Sequence, residues 1–427
     1  MKRGVSVILM ALLALSVLGA VLAAKDPVLW KGSVCDSVRY QKSIEAVAIG
    51  NGRIYAGCSY RQVANSSGLI EIYYLGQLAA YSSNGTRLWQ NDSGYVIKLF
   101  PLPDGKILVG SIGGFVTFDR DGGFLSRNLT INKLYDFQVD GSTVYAVDGD
   151  VFTRGNSTSY VGHLYAGRLI NGSVLLGRPI ANFTSLTSRV RAGNGIIYVG
   201  AGFPSGYVGP GQFGHIYGVL PNGTVEWSIN TGSWVRDMET YEGDLIAGTG
   251  YEKSSGWLYR VSPSGKVLWK KALFYTEDIE IAGNKIFVGG MGSKGGLLAA
   301  VDPQTGKVLW ERDFPHRVKV VRYADGKLLV GVGEFQSANE NGSQVVYSVG
   351  ALYAVNPEDG KILGELPNTG YVRSIAVEGD TAVVGTASSN FYVVDVKELA
   401  GESGEKGICG PAFAVVLVFL PLLWRRR

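Results

Sequence analysis

The chain is poor in the residues that most often carry chemistry. Its 427 residues include three cysteines, three histidines and four methionines. Cys35, Cys58 and Cys409 stand far apart, which excludes an adjacent-cysteine pair and a Cys-x-x-Cys-His haem signature. His163, His215 and His316 show no His-x-x-x-His metal spacing. There is no Gly-x-Ser-x-Gly elbow and no phosphate loop. Aspartate and glutamate are plentiful, but no cluster has calcium-loop spacing. These absences leave no catalytic residue and no metal ligand to assign. Long helical periodicity is also missing between residues 27 and 397. Glycine, in contrast, is abundant at 60 residues, which suits a chain of many tight turns.

Both ends have a targeting character. Lys2 and Arg3 precede an apolar run over residues 5–22, followed by Ala23 and Ala24. That pattern predicts a secretory signal peptide over 1–24. At the other end, residues 412–424 contain no polar side chain, and Arg425, Arg426 and Arg427 close the chain. The run is short for a spanning helix, and its arginines would stay on the cytoplasmic side. "CGP" at 409–411, before an apolar run and a basic end, resembles the archaeal CGP-type C-terminal sorting signal. The resemblance implies that Cys409 is a lipid-anchor candidate. Either a retained or a cleaved tail fixes the protein to the outer face of the membrane.

The net charge of +4 depends on these ends. Removing Lys2, Arg3 and the three terminal arginines takes away five positive charges and no negative ones, leaving −1. No nucleic-acid partner is expected from such a balance. Asn-x-Ser/Thr sequons at Asn65, Asn84, Asn91, Asn128, Asn156, Asn171, Asn182, Asn222 and Asn341 agree with an exported glycoprotein. Asn-Gly-Thr and Asn-Gly-Ser are also ordinary turn sequences, which accounts for some of the nine.

Between the ends the sequence repeats. "AAVDPQTGKVLWERD" at 299–313 recurs as "YRVSPSGKVLWKK" from Tyr259, "YGVLPNGTVEWSI" from Tyr217, "AAYSSNGTRLWQN" from Ala79 and "YAVNPEDGKILGE" from Tyr353. Each reads as strand, tight turn, strand. A second two-strand motif precedes each, as in "IEIAGNKIFVGG" from Ile279. The unit is therefore four strands, and eight innermost strands are expected near Ile44, Val96, Leu134, Val190, Val235, Ile279, Val318 and Val372. The eighth unit lacks its fourth strand, and "PVLWKGSV" at 27–34 supplies one. The expectation is an all-β, eight-bladed propeller of four-stranded blades, closed by the N-terminal strand. Residues 25–397 form the propeller, 398–408 a short hydrophilic linker and 409–427 the sorting signal or anchor helix.

This period, with Trp on the fourth strand, resembles the PQQ-like eight-bladed propellers, which include quinoprotein dehydrogenases and an outer-membrane assembly scaffold. The resemblance implies either a quinone site with calcium or a wall built from the same repeats. Trp30, Trp89, Trp227, Trp269 and Trp310 lie on outermost strands, so their expected role is packing between blades rather than flooring a quinone. No cofactor is expected; pyrroloquinoline quinone with calcium belongs to the alternative reading.

Cys35 follows the closing strand and Cys58 ends the second strand of blade 1, on one face of the propeller. A disulfide there would staple the closure; the alternative is two buried thiols. The turns between first and second strands are short, as are those between third and fourth. The long connections, from Ser59, Gly202 and Gly333, share the opposite face and carry Tyr60, Tyr73, Tyr74, Phe203, Tyr207, Phe213, Phe335 and Tyr347. Glu45, Lys98, Asp136, Arg236, Asp237, Lys319 and Arg373 are expected near the channel mouth on that face. The function expected is a surface-anchored, monomeric propeller that binds a surface protein or glycan, long connections outward. The alternatives are a quinone-dependent oxidoreductase and a polysaccharide hydrolase or lyase.

Overall fold

The computed structural model describes residues 26–401 except 37, 39–40, 67–68, 155–156, 203–213, 252–254 and 341–342. The signal peptide, Tyr207, Phe213, Asn156, Asn341, Cys409 and the anchor lie outside the described residues. Among the described residues, no helix is long and apolar enough to cross a membrane.

Eight antiparallel sheets follow one another along the chain, each turned so that its first strand lies innermost. The first strands run Lys42–Gly50, Val96–Pro101, Leu134–Asp140, Thr187–Gly193, Trp234–Tyr241, Tyr275–Ala282, Val318–Ala324 and Val372–Glu378. Each packs against the next, and the last returns to the first, which closes the ring. The eighth sheet is completed by Val28–Ser33, paired antiparallel with Asn390–Asp395. All eight innermost strands and the N-terminal closure stand where the repeats placed them.

The burial pattern explains the strand chemistry. Second strands such as Ile107–Ser111 and Ile196–Ala201 are buried along their whole length. They lie between neighbouring blades and read as continuous apolar runs. Outermost strands such as Val225–Asn230 and Val267–Leu273 are largely exposed. Hydrophobic clusters form between blades rather than within one. One joins Ile196, Tyr198 and Ile216 of blade 4 to Val235, Met238 and Leu245 of blade 5.

No strand pairing crosses from one blade to the next, so other contacts must lock the ring. The five tryptophans do this at large radius. Each indole N–H donates to a carbonyl in the third-to-fourth-strand turn of the following blade. Trp30 reaches Ser83 O at 2.9 Å, Trp89 Arg120 O at 2.9 Å and Trp227 Pro263 O at 2.9 Å. Trp269 reaches Pro303 O at 2.8 Å and Trp310 Pro357 O at 3.1 Å. The ring then lies over the glycine of that turn. A Cβ on Gly265 would sit 2.5 Å from Trp227, and one on Gly306 would sit 2.8 Å from Trp269. Both glycines also have positive φ, so only glycine satisfies the turn and the ring together.

Three features differ from the sequence expectation. The outer strand of blade 3 is split into Ser173–Leu176 and Ala181–Phe183, both paired with Ser157–Ile170, which makes that sheet five-stranded. Pro179 between them has no N–H to offer the ladder. The connections from Ser59 and Gly333 are not loops. Arg53–Ser66 pairs with Leu69–Ser82 without interruption, as Lys327–Glu340 does with Ser343–Val355. A third extended hairpin, Thr143–Arg154 with Ser157–Ile170, projects from blade 3. Finally, the packed fold continues beyond residue 397. A one-turn helix, Val396–Leu399, is capped by Asp395 and buries Val396, Leu399 and Ala400 against blades 7 and 8. Leu399 and Ala400 are thus core rather than linker.

Cys35 and Cys58 form a disulfide with a Cα–Cα distance of 6.2 Å, tying the segment after the closing strand to blade 1. Thiol labelling of the unreduced protein should find neither residue. Replacing Trp269 by alanine should cost about 3 kcal/mol, and by phenylalanine about 1 kcal/mol, in denaturant titrations. Unchanged midpoints in both variants would refute the interlocking role.

Candidate functional site

The innermost strands line a central cavity of about 780 Å³. All eight are distorted at the same level. A register shift falls between Ile44 and Ala46, Val96 and Lys98, Leu134 and Asp136, and Thr187 and Arg189. The other four fall between Val235 and Asp237, Thr276 and Asp278, Val318 and Val320, and Val372 and Ser374. A bulge re-aims side chains and lets two consecutive residues serve one level of the sheet. It accounts for the charged doublets Arg236-Asp237 and Glu277-Asp278, two adjacent charges in strands that otherwise alternate.

These charges pair with one another across the blade joints. Lys98 Nζ lies 3.0 Å from Asp136 Oδ1, and Arg191 Nη1 lies 2.8 Å from Asp136 Oδ2. Arg191 also reaches Glu239 at 2.8 Å, and Arg189 reaches Asp237 at 3.3 Å. Glu277 is surrounded by Arg236 at 2.7 Å, Lys319 at 2.8 Å and Arg317 at 2.9 Å. Arg322 meets Asp278 at 2.7 Å and Arg373 meets Glu45 at 2.8 Å. Several carboxylates also accept a backbone N–H from the following blade. Val190 donates to Asp136, Ile279 to Asp237, Val321 to Asp278 and Tyr323 to Glu280.

Of the residues named from sequence, Glu45, Lys98, Asp136, Asp237, Lys319 and Arg373 do line this channel. Arg236 instead tucks its guanidinium over the Trp234 ring, 3.9 Å from the centroid. Arg189, Arg191, Glu239, Glu277, Asp278, Glu280 and Arg322 were missed. The signal for them was charge at alternate positions in strands such as "TSRVRAG" and "TEDIEIA".

Burial pushes the Asp136 and Glu277 carboxyls up, but the cations beside each outweigh it. Lys98, Arg191 and Arg189 hold Asp136 well below the usual range, and Lys319, Arg236 and Arg317 do so for Glu277. The opposite holds for Asp278 and Glu280, on the same strand as Glu277. Burial raises Asp278 to about 6 and Glu280 to about 7, against the attraction of Arg322. The neighbouring charge of Asp237 adds to the first, and those of Asp278 and Glu239 add to the second.

This arrangement does not fit a quinone with calcium. Each channel carboxylate is already engaged by a cation or a backbone N–H. Among the described residues no three His, Cys, Asp or Glu side chains converge to hold a metal ion. The five outer tryptophans are spent between blades. His163, isolated in sequence, does find a partner: its Nδ1 lies 2.6 Å from Asp148 Oδ1, and the Tyr165 hydroxyl donates to Asp148 Oδ2 at 3.0 Å. The nearby Thr187 hydroxyl is turned to the backbone carbonyls of Asp148 and His163. No nucleophile completes the set among the described residues.

A smaller cavity of about 320 Å³ opens where the arms of blades 1 and 7 meet the channel mouth. Tyr60 and Phe335, both named from sequence, line it together with Tyr95, Lys42, Arg61 and Arg373. Large exposed apolar side chains are scattered over the blades, chiefly on outermost strands, as on most proteins. Eight stand on the arms: Val63, Ile72 and Tyr73 on blade 1, Val151 and Phe152 on blade 3, and Phe335, Val346 and Tyr347 on blade 7. Among the sequons, the Asn91 and Asn128 amides donate to Gly122 O and Val174 O of the next blade, whereas Asn84, Asn171, Asn182 and Asn222 are exposed.

Residues 254–400 match the family model PQQ_2, described as outer membrane protein assembly factor BamB. The second half of the ring carries repeats of that type. No curated protein matches the chain. Among solved structures, Sqt1 of Saccharomyces cerevisiae has a TM-score of 0.60 at 11% identity, covering 87% of this chain and 99% of that one. The computationally designed protein Ika8 has a TM-score of 0.58 at 12% identity, covering 83% and 97%. BamB of Moraxella catarrhalis has a TM-score of 0.54 at 13% identity, covering 86% and 97%. At these identities the likeness is one of fold.

The channel titrations carry a pH signature. Asp278 and Glu280 bind protons more tightly folded than unfolded, so their contribution to stability falls as pH rises from about 4 towards 7. Asp136 and Glu277 do the reverse, and their contribution is lost as pH drops below about 4. Thermal melting should therefore be highest near pH 5. Glu280→Gln should flatten the decline between pH 5 and 8; an unaltered profile would show that Glu280 is not the titrating group.

Proposed function

We propose that this chain is an exported propeller, held at the outer face of the cell membrane, that serves as a scaffold for other proteins. The observation that carries this reading is the division of labour between the two surfaces. The channel charges pair with one another, while exposed apolar side chains stand together on three arms of one face. Exposed apolar clusters of this kind suit protein contacts. The match to a repeat model described as an assembly factor supports a scaffold over an enzyme. The apolar N-terminal run, the sequons and the Cys35–Cys58 disulfide support export.

The end of the described chain supports an orientation. Lys397 lies 3.1 Å from Asp380 and 3.9 Å from Asp325, both in first-to-second-strand turns. The chain thus leaves from the face opposite the arms. A tail anchored through Cys409 would turn the tight turns to the membrane and the arms outward.

The test is to cut back the arms in the full-length protein, removing 61–74, 150–161 and 334–349 and closing each with Asn-Gly. Cross-linking on intact cells should give discrete partner adducts with the native protein and lose them with the trimmed one. Adducts that survive trimming would overturn the reading. Stoichiometric binding of pyrroloquinoline quinone with Ca²⁺, followed by quinone absorbance, would favour an oxidoreductase instead.

A further inference from the structure

The sequons fall into two kinds. Asn91 and Asn128 each commit their amide nitrogen to a blade joint. Asn91 Nδ2 donates to Gly122 O at 2.7 Å, and Asn128 Nδ2 donates to Val174 O at 3.0 Å. A sugar on either nitrogen would enter the joint, where even a Cβ on Gly122 would stand 3.1 Å from Asn91 Nδ2. Asn84, Asn171, Asn182 and Asn222 are exposed, and their amides donate no hydrogen bond among the described residues. Asn182 stands on the outer side of blade 3, with Thr184 exposed two residues on.

The other three lie between third and fourth strands, on blades 1, 3 and 4, and continue as Gly85-Thr86, Gly172-Ser173 and Gly223-Thr224. Turn chemistry explains the Asn-Gly but not the hydroxyl residue that follows. The sister turns of blades 5, 6 and 7 read Ser264-Gly265-Lys266, Thr305-Gly306-Lys307 and Asp359-Gly360-Lys361. Lysine serves that position as well as threonine does. Lys361 N donates to Asp359 Oδ1 at 2.9 Å, just as Thr224 N donates to Asn222 Oδ1 at 2.9 Å. Nor does Asn-Gly call for a hydroxyl, because Asn51-Gly52 and Asn194-Gly195, between first and second strands, continue with Arg53 and Ile196. Thr86 and Thr224 are exposed, and neither hydroxyl is bonded among the described residues. In these turns a hydroxyl residue follows the glycine where asparagine precedes it, and lysine follows where serine, threonine or aspartate does. A glycan acceptor requires that pairing and the turn does not.

We infer that Asn84, Asn171, Asn182 and Asn222 carry N-linked glycans in the mature protein and that Asn91 and Asn128 do not. The inference rests on the export reading and assigns the modified residues. The co-reactant is a lipid-linked oligosaccharide. Its anomeric carbon bonds to Asn Nδ2 and loses its bond to a phosphate oxygen. The lipid phosphate leaves with the electron pair, and one Nδ2 proton passes to solvent. The turn sites occupy blades 1, 3 and 4 of the face opposite the arms, whereas the chain leaves that face beside Asp325 and Asp380 of blades 7 and 8. Glycans so placed keep clear of the sector from which the tail departs.

The experiment takes the folded protein from the membranes of the cells that make it and reads its glycopeptides by tandem mass spectrometry. Peptides holding Asn84, Asn171, Asn182 and Asn222 should carry hexose-containing adducts, and those holding Asn91 and Asn128 should show their unmodified masses. Adducts at fewer than three of the four, or at either joint residue, would overturn the inference. Variants made in the same cells separate modification from folding. Thr86→Lys and Thr224→Lys rebuild the sister turn, so each should lose one glycan and keep the melting temperature. Asn91→Gln and Asn128→Gln should lose no glycan and melt several degrees lower, because a carbonyl of the next blade loses its donor. Glycans that persist in the lysine variants would also overturn the assignment. N-terminal sequencing and protease shaving of intact cells read export separately. A surface-exposed chain beginning near Lys25 without these glycans would refute the sites alone. A chain that keeps residues 1–24 and resists shaving would refute export.

Discussion

The joint between neighbouring blades is the constraint on which the rest depends. Backbone hydrogen bonds complete each four-stranded sheet and then stop, because no ladder crosses to the next blade. A ring of eight such sheets would slide without directional contacts at the joints. The protein supplies them at two radii. Outside, an indole N–H and a glycine turn interlock, as with Trp227 on Pro263 and Gly265. Inside, carboxylates reach across to the backbone N–H of the following innermost strand, as Asp237 does to Ile279. Between the radii lie apolar clusters, which are strong but indifferent to direction. The polar contacts set the angle, and the apolar ones hold it.

This account assigns the channel charges a structural role and limits what else they can do. A carboxylate that accepts from an arginine and a backbone N–H has little capacity left for a metal ion or a substrate. The joint between blades 6 and 7 is the exception in balance. Asp278 and Glu280 share Arg322, and Asp237 and Glu239 stand close by, so negative charge there exceeds its compensation. Burial is the main reason these two carboxyls are shifted upward, and the surplus of negative charge adds to it. The remaining polar chemistry is found outside the channel, at the arms.

Much of the fold was legible in the sequence because the repeat carries its own punctuation. Trp on the fourth strand marks five of the eight units, turns rich in Pro, Asn and Gly mark most of them, and "PVLWKGSV" at the N-terminus announces the strand that the eighth unit lacks. The arms were harder to read. Ser66, Ser67, Gly68 and the polar run before them look like a loop, yet Val63 and Ile72 face each other across a continuous ladder. Polar residues are tolerated in a hairpin exposed on both sides, so hydropathy cannot mark such a strand. The blade 3 arm escaped for the same reason. The channel network was half visible: single charges such as Lys98 and Asp136 stood out, but pairing between strands some 40 to 55 residues apart depends on the ring itself.

The arms also explain why closure is reinforced where it is. They project from blades 7, 1 and 3, with the short hairpins of blades 8 and 2 between them. Two of the three therefore flank the blade that is built from both ends of the propeller. That blade is held by the Val28–Ser33 strand alone on its outer edge, a contact that any pull on its neighbours would load. The Cys35–Cys58 bond lies at this place. Cys58 is two residues before Tyr60 on the strand that becomes the blade 1 arm, and Cys35 follows the closing strand by two residues. A force on the arm passes along its strand into a covalent link to the closing segment rather than into hydrogen bonds alone. A propeller with no outward arms could close on backbone pairing. One that presents long hairpins beside its seam gains from a seam that cannot unzip.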